Sequence, residues 1–136
     1  MNKNHFRVKR TAKVVFDTAK NDSAGVSNKT IAAHGTGVIL PAGAIIVDSA
    51  YDVSTTFTSA TDAGEVAFAS EGAGDIKAAT AISTGTTYDD VTSMVAGTPV
   101  SAATAVKLTA NREITATVTV EALTAGRLVW YIDYVL

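Results

Sequence analysis

A chain of 136 residues has the length of one ordinary domain, and we predict a single domain over residues 1–136. It has no cysteine, which excludes disulfides, and no run approaches the ~20 apolar residues of a membrane-spanning helix. The net charge is -2, but residues 1–29 contain seven basic and two acidic side chains. This asymmetry predicts that residues 1–29, a basic N-terminal arm and strand, meet an acidic partner.

Strand patterns dominate the first half of the chain. Residues 6–16 alternate inward-facing apolar side chains with a basic outer face, and residues 26–34 show a weaker strand pattern. After Pro41, residues 45–57 alternate over a length that would cross a whole domain, and residues 65–70 have the pattern of a hairpin return strand. The predicted apolar face of the long strand contains Ile45, Val47, Ser49, Tyr51, Val53, Thr55 and Phe57.

The middle of the chain contains the one helix that the sequence predicts. Residues 75–82 are rich in alanine, which favours helices, and Asp75 can cap the first turn. Residues 83–98 are polar and rich in threonine, which is typical of a loop, with Tyr88 and Met94 as candidate anchors. Loops of this length commonly have a binding or assembly role.

The C-terminal third has the most regular alternation. Residues 106–110 and 114–121 predict two strands, residues 122–126 predict a tight connection, and residues 127–136 predict a last strand. Because this last strand is apolar on both faces, we expect it to be central or covered by a neighbour. Regular strands without helical spacers indicate an all-β, single-domain, jelly-roll-like β-sandwich with at most one short helix.

Side chains that could hold a metal are few and poorly spaced. The only histidines are His5 and His34, and without cysteine they form no recognisable zinc ligand set. Glu71 and Asp75 flank a glycine-rich turn and could hold calcium, but the spacing of an EF-hand loop is absent. We therefore predict no metal and no cofactor.

Paired carboxylates are the remaining candidates for catalysis. Asp48 and Asp52 fall on the same face of the long strand, and two carboxylates that flank a sugar bond can hydrolyse a glycoside. Carboxylates on the outer face of a strand more commonly solvate it and prevent edge pairing. A general acid also needs a desolvated pocket, which the sequence does not indicate, and we predict that the protein is not an enzyme.

Basic residues near the N-terminus are the strongest electrostatic feature. They could dock against an acidic protein surface, bind nucleic acid, or form an ordinary solvated strand face. Nucleic acid is disfavoured because the rest of the chain is acidic and only Phe6 could stack on a base, so we predict neither nucleic acid nor membrane as a partner. The residues concerned are Lys3, Arg7, Lys9, Arg10 and Lys13.

Two stretches, LPAGAIIVDSAYDVSTTF and NREITATVTVEALTAGRLVWYIDYVL, resemble small virion structural proteins of tailed bacteriophages. These are capsid decoration (cement) proteins and head fibre proteins, in which an apolar-Pro-Ala step before a strand and a Leu-Thr-Ala-Gly step before a terminal strand recur. In this chain the two steps are Leu40-Pro41-Ala42 and Leu123-Thr124-Ala125-Gly126.

The resemblance implies a jelly-roll-like homotrimer on the capsid exterior, at local threefold positions, where it binds the major capsid protein and stabilises the head. The long strand would close the core with one face and meet a neighbouring subunit with the other, and the five basic residues named above would contact the capsid. The alternative is a tail-associated or adhesin-like sandwich that binds host surface glycans through residues 83–98. Its ligand residues would be Tyr88, Asp89 and Asp90.

Overall fold

Two antiparallel sheets pack face to face in the computed structural model, which describes residues 8–98 and 105–136. These ranges contain nine strands and no helix. The strands in chain order are β1 (Arg10–Asp17), β2 (Ala32–Leu40), β3 (Ile45–Ser59), β4 (Glu65–Ala69), β5 (Lys77–Ala81), β6 (Met94–Ala96), β7 (Val106–Lys107), β8 (Arg112–Thr119) and β9 (Leu123–Val135).

The strand order divides the chain into two sheets of similar width. The first sheet has the order β1-β9-β3-β6, with β7 also pairing with β3, and the second sheet has the order β2-β8-β4-β5. From β1 to β4 each strand lies in the sheet opposite to the strand before it, whereas β4 and β5 form a hairpin within the second sheet. The predicted all-β sandwich is confirmed, and β9 is central, as its apolar pattern predicted.

Aromatic side chains from both sheets meet in the core. Trp130 on β9 lies with its ring centroid 4.6 Å from that of Tyr51 on β3 and 5.2 Å from that of Phe68 on β4. Phe16 on β1 stacks on Phe57 of β3 and meets Phe68 edge-on. Burial of this apolar surface is the main force that holds the sheets together. Aliphatic members of the same core include Val14, Leu40, Ile46, Val53, Val66, Ile114, Val118, Leu128 and Ile132.

The long strand β3 follows the predicted alternation only in its middle. Tyr51 and its alternate neighbours face the core, but the pairing with β9 shifts between Ile46 and Asp48. Ile46 is therefore buried and Val47 is half-buried, because one extra residue reverses the direction of the side chains before it. A second shift leaves Thr55 exposed. The predicted inward placement of Ile45, Val47 and Thr55 is wrong for this reason.

The segment 75–82, predicted to be a helix, contains β5, which pairs with β4. Asp75 caps a turn instead: its carboxylate accepts hydrogen bonds of 2.6–2.9 Å from three backbone N–H groups of residues 70–72. Ile76 follows this turn and is fully buried. The preference of alanine for helices is worth only a fraction of ~1 kcal/mol per residue. It is outweighed by the β4–β5 ladder and by the burial of Ile76.

Three predicted strand boundaries also differ from the observed ones. The strand predicted at residues 26–34 begins only at Ala32, because the residues before it form turns. The connection predicted at residues 122–126 belongs almost wholly to β9, which begins at Leu123. The strand predicted at residues 106–110 is limited to two residues, β7.

The turn between β8 and β9 contains a strained backbone. Val120 has a φ of 69°, and the Glu121 N–H donates a 2.8 Å hydrogen bond to the Thr119 carbonyl, which closes a three-residue turn. A β-branched residue in the left-handed region is a true conformational outlier. The sequence did not reveal this turn because Val120 completes the alternating pattern of β8.

Candidate functional site

The outer face of the first sheet is the solvent-facing side of β1, β9, β3 and β6. Directly opposite residues on paired antiparallel strands lie on the same side of a sheet, so the register defines the rows of this face. Its large apolar side chains are partly solvated: Val15 and Tyr131 are 39% and 38% exposed, and Met94 is 53% exposed. One row contains Lys13, Tyr131, Ala50 and Ala96, and the next contains Val15, Val129, Asp52 and Met94.

Two ion pairs lie near the ends of this face. Lys9 Nζ is 3.7 Å from an Asp133 carboxylate oxygen, and Arg127 Nε is 3.7 Å from an Asp17 carboxylate oxygen. Each pair joins a residue of β9 to the N-terminal strand or its start. Because the partners neutralise each other and are partly solvated, these pairs contribute little to stability.

Charges that remain without an ion pair are separated across the face. Lys13 lies on β1, whereas Asp48 and Asp52 lie on β3, and Tyr131 of β9 stands between the two strands. Within the part of the chain that the structure describes, none of the three charged side chains forms an ion pair. The β1 side of the face is therefore positive and Asp48 and Asp52 make the middle of β3 negative, while the exposed Lys107 of β7 stands opposite Ile45 near the start of β3.

The outer face of the second sheet has no such pattern in its centre. Thr117 of β8 stands opposite Ala67 of β4 on one side and Ala33 of β2 on the other, and Thr115 stands opposite Ala69. All of these side chains are short and uncharged. The centre of this face is therefore flat, with no large apolar side chain and no charge to anchor a partner.

The predicted basic contact residues lie on both sides of β1. Lys3 and Arg7 fall outside the described residues. Lys9 and Lys13 are exposed and alternate onto the outer face of the first sheet, whereas Arg10 is exposed and points to the other side of the strand. The structure consequently brings together only Lys9 and Lys13 from this group.

Tyr88, predicted to bind a ligand from the loop 83–98, is instead fully buried. Its hydroxyl donates a 2.9 Å hydrogen bond to the Val66 carbonyl, and its ring lies 5.4 Å from that of Phe57. Burial raises the pKa of the Tyr88 hydroxyl, and the nearby Tyr51 raises it further by a smaller amount. Tyr88 is thus a core anchor and offers no side chain to a ligand at the surface.

The other two ligand-loop candidates remain near the surface. Asp89 is exposed. The carboxylate of Asp90 accepts hydrogen bonds from the hydroxyls of Ser93 and Thr92 and from the Thr92 N–H group, and these lower its pKa to about 2. Asp90 therefore shapes its own loop, and its oxygens are already partly occupied.

The end of the same loop is fixed to the core. The Gly97 N–H donates a 2.9 Å hydrogen bond to the Ser49 carbonyl, and the Thr98 N–H donates a 2.8 Å hydrogen bond to the Ile76 carbonyl. A Cβ atom on Gly97 would overlap the ring of Trp130. Glycine is needed here because the backbone packs directly against the tryptophan.

The carboxylates considered for glycoside hydrolysis lie on an open surface. Asp48 is exposed and stands directly opposite Asp133 on β9, while Asp52 stands opposite Val129. Neither Asp48 nor Asp52 lines either of two clefts of about 260 Å³ that open beside Asp17. Without a desolvated pocket around them, these carboxylates lack the environment that a general acid needs.

The carboxylates considered for calcium are occupied by protein donors. Glu71 accepts hydrogen bonds from Arg112 and from the side chain and backbone of Thr109, which lower its pKa to about 2. Asp75 accepts the backbone bonds of its own turn. In residues 8–98 and 105–136, no three His, Asp or Glu side chains gather as a metal site.

His34 forms a buried pair with Asp22 that closes the turns before β2. Its Nδ1 lies 2.7 Å from an Asp22 carboxylate oxygen and its Nε2 lies 2.8 Å from the Thr30 carbonyl oxygen. Both partners of the ring are hydrogen-bond acceptors. Hydrogen bonds from His34, Val26 and Ala24 lower the pKa of Asp22. Asp22 and His34 hold the turns in place, and their polar atoms are already hydrogen-bonded to each other and to the backbone of the turns.

Sequence reasoning expected the outward face of the long strand β3 to meet a neighbouring subunit, but it did not place Tyr131 of β9 beside that face. The available signal was the last strand, β9, which is apolar on both faces although only one of them reaches the core. Central position in the sheet explains the inward face, whereas on the outward face Val129 is buried and Tyr131 is 38% exposed. No helix of the described residues is long and apolar enough to cross a membrane.

Comparisons with known proteins identify the fold. No protein-family profile and no curated protein matches the chain. A chain in the acidic stable capsid structure of Helicobacter pylori bacteriophage KHP30 matches with a TM-score of 0.61 and 19% identity, covering 95% of this chain and 88% of that chain. A chain in the cyanophage Pam1 capsid asymmetric unit matches with a TM-score of 0.64 and 17% identity, covering 100% of this chain and 90% of that chain. The likeness at these identities is one of fold.

Proposed function

We propose that the protein is a structural component of a phage virion, most specifically a decoration (cement) protein that binds the outer capsid surface as a homotrimer and stabilises the head. The observation that carries the proposal is the whole-length fold match to chains of two phage capsid structures. Because the match spans nearly all of each chain, those chains are little longer than this one. The shared fold therefore spans most of each neighbouring chain.

The strand order supports a jelly roll. Without β7, the sheets have the orders 1-9-3-6 and 2-8-4-5, in which the first and last strands of the chain are neighbours and, apart from the β4–β5 hairpin, successive strands lie in opposite sheets. Two four-stranded sheets connected in this way form the double Greek key that is common in viral shell proteins. Fold alone leaves function open, so the match to capsid assemblies carries the functional part of the proposal.

The basic N-terminal arm is the proposed contact with the major capsid protein. The arm consists of Lys3, Arg7, Lys9, Arg10 and Lys13. Basic side chains at the start of β1 would steer the protein to an acidic surface and add affinity that falls with salt. Catalysis has no part in this function, in keeping with the open setting of Asp48 and Asp52.

The second candidate function, glycan binding through the loop 83–98, receives less support. The burial of Tyr88 removes the aromatic platform on which a sugar would stack. Asp89 and Asp90 remain as polar groups without that platform. A glycan array that gave binding lost in an Asp89→Ala variant would favour this function over capsid decoration.

Light scattering before and after mixing with capsids that lack this protein tests the proposal. A trimer that coats these heads and raises their melting temperature is the expected result. A monomer that leaves the heads bare would overturn both the oligomeric state and the location. If the heads bind the protein but their melting temperature does not rise, the capsid location is supported and the stabilising role is contradicted.

A triple variant tests the arm itself. Replacement of Arg7, Lys9 and Arg10 by Gln should reduce head occupancy at least tenfold at moderate salt while the fold melts at the same temperature. The control replaces two exposed or half-buried basic residues outside residues 1–29, Lys77 and Lys107, by Gln and should retain occupancy. Equal occupancy for both variants would remove the arm from the proposal.

A further inference from the structure

We infer that the outer face of the first sheet is where copies of this chain bind one another, with Lys13 of one copy placed between Asp48 and Asp52 of the next. The inference rests on the proposed homotrimer and assigns it a contact surface. It is carried by the arrangement of charged and apolar side chains on β1, β9 and β3.

The positions of the charges make the β1 side of this face complementary to its β3 side. Lys13 shares a row with Ala50, and Asp48 and Asp52 occupy the rows on either side of Ala50 on β3. With strands ~4.8 Å apart, Lys13 on β1 lies ~10 Å from β3 in its own copy, which leaves both charges available to a neighbour. A neighbouring copy that presents its β1 to this β3 would place its Lys13 between the two carboxylates. Head-to-tail contacts of this kind close into a ring when repeated.

Apolar side chains fill the space between the two charged strands. Tyr131 and Val15 are each more than one-third exposed, and Met94 is about half exposed. Tyrosine and methionine are enriched at protein interfaces, where an aromatic anchor surrounded by polar groups commonly provides most of the binding energy. Tyr131 in the middle of the face would therefore anchor the contact, and the charged side chains on β1 and β3 would give it specificity.

Charge favours a second copy over a partner of another kind as the occupant. A surface of one sign would meet repulsion on one side of this face, from Lys13 or from Asp48 and Asp52. Nucleic acid would place phosphates against the two carboxylates. A copy of the same face carries both signs in complementary places. The second sheet, with its Thr117 and Ala67 centre, has no comparable pattern.

Lys13 is the one residue that both proposals use. It is the third basic residue of the described part of the arm, and it shares its row with Tyr131 rather than lying at the start of β1 with Lys9 and Arg10. The inference assigns Lys13 to the contact between copies and leaves the other four basic residues to the capsid. The arm variant described above retains Lys13, so the two surfaces are tested separately.

Charge reversal and rescue in the full-length chain provide the test, with self-association measured by sedimentation equilibrium. Lys13→Asp alone, and Asp48→Lys with Asp52→Lys, should each weaken association at least tenfold. The triple variant restores opposite charges across the contact and should associate within about threefold of the wild type. Thr117→Asp, on the second sheet, is the control and should change association less than twofold. These side chains are exposed or half-buried, and circular dichroism on heating confirms that each variant is folded.

The outcomes separate this inference from the proposed function. Restored self-association in the variant that combines Lys13→Asp, Asp48→Lys and Asp52→Lys supports the assigned face. A wild-type trimer that persists in every variant overturns the face and leaves the decoration proposal standing. A wild-type monomer that still coats heads overturns the face and the trimer but retains the capsid location. Weakening by Thr117→Asp equal to that of Lys13→Asp would assign the contact to the second sheet.

Discussion

The two sheets of this sandwich share one core but present opposite kinds of outer surface. The first sheet exposes Tyr131, Val15 and Met94 between a basic and an acidic strand. The second exposes threonine and alanine, with Thr117 at its centre. Short polar side chains suffice to solvate a sheet; the second sheet exposes Ile39 only on its edge strand β2, whereas the first sheet groups its exposed apolar side chains across neighbouring strands, which favours a partner for that face.

The largest expected effect comes from charging the centre of each outer face. Tyr131→Glu should weaken self-association about 30-fold or more, because it removes a central aromatic anchor worth ~2 kcal/mol or more and adds charge where water is excluded. Thr115→Glu on the second sheet should change it less than twofold. Sedimentation equilibrium of both variants measures the difference. If both variants weaken self-association equally, the two outer faces do not differ as binding surfaces.

Two glycines provide a comparison of the same kind for stability. A Cβ on Gly97 would overlap Trp130, which is locked in the core, whereas a Cβ on Gly35 would overlap the side chains of Ser23 and Glu113 near the surface. We expect Gly97→Ala to lower the free energy of unfolding by roughly 2 kcal/mol, within the usual cost of overpacking. Gly35→Ala should cost under ~1 kcal/mol because the Glu113 side chain can move.

Urea unfolding followed by tryptophan fluorescence measures both glycine variants, since Trp130 is the single tryptophan. A larger loss for Gly35→Ala than for Gly97→Ala would contradict the expectation that the buried Trp130 ring moves less readily than the side chains of Ser23 and Glu113. The wild-type emission maximum is the reference for an intact tryptophan environment.

Most of the fold followed from alternation, and the exceptions have local causes. The sequence predicted β1, β3, β4 and β8 because each keeps a period of two over several residues, and it predicted a central β9 because that strand is apolar on both faces. It missed the bulge at Val47, since a single extra residue leaves no mark in composition. It predicted a helix for β5 because alanine favours helices slightly, while the ladder with β4 is a tertiary effect.

The candidate site was much less accessible to sequence reasoning. Pattern alone placed Asp48 and Asp52 on one side of β3, which the structure confirms, but gave no information on which strand would lie beside them. The approach of Lys13 and Tyr131 depends on β9 pairing between β1 and β3, across more than a hundred residues of chain. Tyr88 failed as a surface residue because a loop can send one aromatic side chain into the core.

Acid should loosen the ends of the second sheet. Hydrogen bonds from Ser59, Thr61 and Ala63 lower the pKa of Glu121 to about 2, below the unfolded value of ~4.3. A lowered pKa in the folded state adds stability that is complete above ~pH 4.5 and is lost as the pH falls toward 2. The stability difference between wild type and Glu121→Gln should therefore shrink over this range.

Urea unfolding at pH 7, 4.5, 3 and 2 measures this difference, with Asp89→Asn as the control because Asp89 is exposed. The control should run parallel to the wild type throughout. A gap between wild type and Glu121→Gln that stays constant down to pH 2 would show that the Glu121 carboxylate is not held as described.

The smallest expected effect concerns the strained turn that joins the second sheet to the first. Val120 has a positive φ, which costs a β-branched residue ~1 kcal/mol and glycine almost nothing. Val120→Gly should therefore raise the free energy of unfolding by about 0.5 kcal/mol once the entropy of glycine is included. Val91→Gly is the matched control, since Val91 is also exposed but has no positive φ, and it should lower stability. Losses in both variants would mean that the Val120 side chain makes contacts worth more than the strain, and the exposed Val120 would then belong with the surfaces to be tested for a partner.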